Sequence, residues 1–69
     1  MAISYDRLWK LLIDKKINKT QLKELAGIST NAVAKLGKNE SVSLETLEKI
    51  CVTLTCDIGD IVGFVPENN

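Results

Sequence analysis

The chain has 69 residues, 45% of them apolar and 26% charged, with a formal net charge of zero. This is the length of one small domain, residues 1–69, with no room for a separate sensor module, and the balance is that of a globular chain and not a disordered one. Histidine is absent, which removes the usual general base and the commonest zinc ligand.

The two cysteines, Cys51 and Cys56, are too few for the disulfide framework of a small secreted domain. Arg7 follows the first six residues where a secretory leader would carry an apolar run. No apolar stretch approaches the roughly 20 residues that span a bilayer. The expectation is a cytoplasmic protein with reduced thiols, its cysteines acting as small hydrophobes at the edge of a core.

Charge is segregated along the chain. Residues 1–38 carry eight cations against three acids, a net of +5, whereas residues 39–69 carry one cation against six acids, a net of −5. One half can face a polyanion while the other is repelled by it. A charge-segregated domain without a polyanionic partner has the same pattern.

In chain order, Ser4 can cap a first helix over about 5–16, with Tyr5, Leu8, Trp9, Leu11, Leu12 and Ile13 on its apolar arc. Asn18, with Gln21 three residues on, has the spacing of a capping box, and Ile17 and Leu22 that of a hydrophobic staple. A short second helix over 19–26 ends at Gly27. Ser29 caps a third, 30–36, which Gly37 closes. Ser43 caps a fourth over 44–54, with Leu44, Leu47, Ile50, Cys51 and Leu54 as its stripe. Asp57 can start a short fifth helix, 58–62, and Gly63 and Pro66 make 63–69 an extended or irregular tail. No segment alternates with period two for long enough to predict a strand.

Two short helices joined by the tight turn Gly27-Ile28-Ser29 form a helix-turn-helix pattern, in which the second helix enters a DNA major groove. At about 100° per residue, Thr30, Ala34, Lys38, Asn31 and Lys35 share one arc, and Ala32, Leu36 and Val33 the other. The first arc has no acid and suits base edges: Asn bonds adenine, Lys reaches guanine, and Ala or a Thr methyl contacts thymine. Thr30, Asn31, Ala34 and Lys35 are therefore the candidate base-contacting residues. Asn18, Lys19 and Thr20 at the start of the second helix, with Lys38 and Asn39 beyond the third, are the candidate phosphate contacts. Lys15 and Lys16 are peripheral candidates. An ordinary solvated helix face is the alternative for all of these.

Leu22, Gly27-Ile28-Ser29 and Val33 resemble the Cro/C1-type (XRE-like, lambda-repressor-like) helix-turn-helix regulators. Leu8, Trp9, Leu12 and Ile13 are similar to that family's first helix, and residues 42–50 and 56–62 to its fourth and fifth. The resemblance covers about residues 5–64. It implies an all-α, compact five-helix DNA-binding domain, a bacterial or phage transcriptional regulator commonly acting as a dimer. Two departures stand out. Lys19 and Thr30 replace the glutamines that often open the second and third helices, and Lys23 stands where Ala is usual.

No catalytic arrangement is visible, since no His can activate a Ser or Cys, and Cys51 and Cys56 lack two further metal ligands. No enzyme, cofactor, metal, membrane or small-molecule ligand is expected. The expected partner is double-stranded DNA, bound by a homodimer on a palindromic site through Ile61, Val62, Phe64 and Val65, with Ile3 as a further contributor. Burial of these residues in the core is the alternative. A second function is a protein-binding module on the same fold: an antirepressor, an antitoxin or a modulator of another regulator. The pI of 6.2 favours that module, since nucleic-acid binders often exceed about 9; the acid-free arc of the third helix favours DNA.

Overall fold

The helix signals of the sequence sit between two strands that it does not announce. The computed structural model describes residues 2–66. The order is β1 (Ala2–Ser4), α1 (Asp6–Lys15), α2 (Lys19–Ala26), α3 (Thr30–Gly37), α4 (Leu44–Leu54), a 3-10 turn at Ile58–Asp60, and β2 (Gly63–Val65).

Local chemistry sets the helix ends. The side chains of Asn18, Ser29 and Ser43 each accept a backbone N–H in the first turn of α2, α3 and α4. Tyr5 stands at the N-cap of α1 without a side-chain cap bond, and the Ser4 hydroxyl instead accepts from the Asp6 N–H at 3.3 Å. Gly37 is the last residue of α3 and does not stop it. The left-handed residue lies two positions on, at Asn39 (φ 55°), a conformation that Asn tolerates better than most side chains.

Ten apolar residues form the core: Tyr5, Leu8, Leu12, Leu22, Ile28, Leu36, Leu47, Ile50, Leu54 and Ile61. They come from the N-cap of α1, from α1, α2, α3 and α4, from the turn before α3 and from the segment after the 3-10 turn. Tyr5 ties the entry of α1 to the exit of α3. Its N–H donates to Asn39 Oδ1 at 3.3 Å, and its hydroxyl donates to the Glu40 carbonyl at 2.7 Å.

Two expectations need correction. The five-helix count becomes four α-helices and a 3-10 turn. Residues 58–62 are below the length at which a helix sustains itself, and Gly59 lowers the propensity further. The Asp60 carboxylate accepts the Asp57 N–H at 3.0 Å, and the chain then turns to deliver Ile61 to the core. Within the tail assigned to 63–69, Gly63–Val65 instead form β2, antiparallel to β1 with Ala2 opposite Val65, Ile3 opposite Phe64 and Ser4 opposite Gly63. Residues 67–69 lie outside the described residues. Strands of three residues are too short to register as alternation. Arg7 anchors this end, donating from its guanidinium to the Gly59 carbonyl at 2.8 Å. Among the described residues no helix is long and apolar enough to cross a membrane.

Candidate nucleic-acid interface

The interface begins with a fixed turn. Asn18 Oδ1 accepts from the Gln21 N–H at 2.7 Å, and Gln21 Oε1 accepts from the Asn18 N–H at 2.9 Å. This reciprocal pair secures the first turn of α2 and leaves Lys19 and Thr20 exposed. At the other end Gly27 adopts φ 67°, and the Gly27 and Ile28 N–H groups both donate to the Lys23 carbonyl, at 3.0 and 3.2 Å. Ile28 is buried beneath the turn, and the Ser29 hydroxyl accepts from the Ala32 N–H at 3.1 Å to start α3.

Leu36 is wholly buried, and Ala32 and Val33 pack against the same core. That seating turns Thr30, Asn31, Ala34 and Lys35 outward together, all exposed, with Lys38 exposed just beyond. No acid stands on α3. Among the described residues the ion pair is Lys49–Glu45 at 3.7 Å, on α4, so the lysines of α2 and α3 are not neutralised by a carboxylate neighbour there.

The candidate phosphate contacts are less uniform. Lys19 Nζ sits 4.5 Å from the centroid of the Trp9 ring and 3.8 Å from where a side chain at Gly37 would begin. Lys19 therefore stands where α1, α2 and the end of α3 meet. Asn18 and Asn39 have their side-chain oxygens engaged, with Gln21 and Tyr5 respectively. Lys38 is exposed and lies at the exit of α3. Lys23 is half-buried on α2. The Trp9–Lys19 contact escapes sequence reading because it joins two helices. The left-handed turn at Asn39 does have a sequence signal, an Asn just past a helix end.

At the opposite end, Ile61 is withdrawn from the expected dimer surface, because it is 0% exposed within its own chain. Val62 is half-buried. Phe64 and Val65 on β2 are 66% and 46% exposed, with Ile3 half-buried opposite Phe64.

The family model of the Cro/C1-type HTH DNA-binding domain matches residues 7–67. The chain belongs to this family. The Cro/C1-type chain is 38% identical over 56 residues to the uncharacterized HTH-type transcriptional regulator YozG of Bacillus subtilis (strain 168), covering 78% of this chain and 67% of that protein. It is also similar to the crystal structure of the transcriptional regulator VanUg, with a TM-score of 0.92 and 53% identity over 96% of this chain and 88% of that one. Both relatives are named as regulators, and the Cro/C1-type domain is a DNA-binding module and not an enzyme.

Proposed function

We propose that this Cro/C1-type chain is a cytoplasmic, sequence-specific repressor of transcription in a bacterium or phage that lays α3 in the DNA major groove. The observation that carries this is the exposed, acid-free face of α3, held outward by the burial of Leu36 beneath it. Thr30, Asn31, Ala34 and Lys35 read the base edges. Lys19, Thr20 and Lys38 hold phosphates, assisted by the side-chain amide nitrogens of Asn18 and Asn39.

One recognition helix per chain favours two copies on a palindromic site, with half-sites about 34 Å apart. Phe64 and Val65, with Val62 and Ile3 beside them, supply the apolar contact between copies. Selection of bound sequences from random duplexes tests the proposal directly. Enrichment of a two-fold symmetric motif supports it, and recovery of no motif overturns it. The second function, a protein-binding module, draws on the acidic 39–69 half and predicts that second outcome.

A further inference from the structure

The two cysteines stand at the two positions that the end of α4 brings together. The Cys56 N–H donates to the Cys51 carbonyl at 3.0 Å, and the Thr55 N–H donates to the Val52 carbonyl at 3.4 Å. Thr55 between them is left-handed, φ 54°, a conformation that a β-branched residue rarely adopts. These bonds form a Schellman motif, whose geometry brings the side chains at the positions of Cys51 and Cys56 into contact. Both thiols are free and half-buried, and both line the same groove.

The groove that both cysteines share is anionic. Cys51 and Cys56 line an open groove with Glu48, Asp57 and Asp60, and no cationic side chain lines it. Arg7, Lys10 and Lys15 line a neighbouring groove that Cys56 and Asp60 also border. Burial first pushes both thiols up, Cys56 to about 11. At Cys56 the neighbouring Cys51 adds to this ahead of Asp60 and Asp57. At Cys51 the proximity of Cys56 offsets part of it, while Asp57 and Asp60 add to it. At neutral pH the pair is therefore protonated and poorly nucleophilic, so anionic thiol reagents are disfavoured. A soft cation has the opposite preference: the carboxylates attract it, and its charge compensates two thiolates.

We propose that Cys51 and Cys56 form a dithiolate site for one soft divalent cation of the cadmium or mercuric class. Two S–H bonds break, two sulfur–metal bonds form, and two protons leave to solvent, with no change of oxidation state. A dication on two thiolates is neutral, so sulfur charge does not build up against Asp57 and Asp60. Among the described residues no group of three or more His, Cys, Asp or Glu is arranged to hold a metal. This excludes a closed four-ligand zinc site of those residues and leaves further coordination to water.

The test is titration of the full chain with cadmium ion under a phosphine reductant, following the ultraviolet sulfur-to-metal charge-transfer band and proton release with an indicator dye. The expected result is saturation at one cadmium per chain with two protons released. Cys51→Ser and Cys56→Ser each abolish the band while keeping the parent's helical circular dichroism. Excess magnesium, a hard cation that prefers oxygen ligands, leaves the curve unchanged. A band that never saturates, saturation at one cadmium per two chains, persistence in either serine variant, or equal competition by magnesium overturns the site. The proton count on the parent decides the matter even if a variant fails to fold.

Discussion

The Lys19 ammonium rests 4.5 Å above the ring of Trp9, the single tryptophan of the chain. An exposed contact of this kind is worth about 0.5–1 kcal/mol, little enough for a phosphate to compete for the same ammonium. If Lys19 turns toward DNA, the ring loses its cation. Trp9 emission should change saturably as a duplex is titrated in, and the change should vanish in Lys19→Gln. In the same variant the slope of log K against log salt should shallow by about 0.9, with affinity falling alike for specific and scrambled duplexes. A preserved slope would remove Lys19 from the phosphate contacts.

Lys35 and Asn31 differ from Lys19 in their surroundings, because they stand on the exposed face of α3 and not at the junction of helices. Replacing either by Ala should cost about 1–3 kcal/mol on the preferred site and relax preference at one base pair. Binding to scrambled DNA should change far less. Competition anisotropy on single-substituted duplexes makes this visible, and a uniform loss across all sequences would reassign these residues to the backbone.

Tyr5 links stability to alkaline pH. Burial, the larger effect, raises its hydroxyl above the ordinary value of 10.0, and a backbone hydrogen bond from Val42 offsets part of that. The folded state thus holds the phenolic proton more tightly than the unfolded chain. The contribution is complete below pH 10.0 and is lost as pH climbs from there through the raised folded value. Tyr5→Phe should cost about 1 kcal/mol at neutral pH by leaving the Glu40 carbonyl without its donor. Urea denaturation across pH should show the alkaline decline flattened in that variant.

Ile61 and Phe64, three residues apart, should separate folding from association. Ile61 is wholly buried, so Ile61→Ala should lower stability by about 2–5 kcal/mol. Phe64 is 66% exposed on β2, so Phe64→Ser should leave the unfolding midpoint nearly unchanged while shifting the mass seen by light scattering from dimer to monomer. A parent that stays monomeric at high concentration would refute the contact between copies.

What could be read in the residues was what neighbours in sequence decide. The Asn18–Gln21 capping box, the serine caps at 29 and 43, the turn at Gly27 and the split of α3 into Leu36-side and Lys35-side residues all depend on spacings of a few positions, and all four appear as expected. The departures involve partners far apart along the chain. β2 exists because Gly63–Val65 meets Ala2–Ser4, Ile61 is hidden because the core closes over it, and Lys19 finds Trp9 across two helices. Asn39, just past α3, accepts the Tyr5 N–H with its side-chain oxygen from 34 residues away. Backbone hydrogen bonds within a turn are satisfied wherever the local pattern permits, whereas strand pairing and burial depend on which surfaces the folded chain brings together.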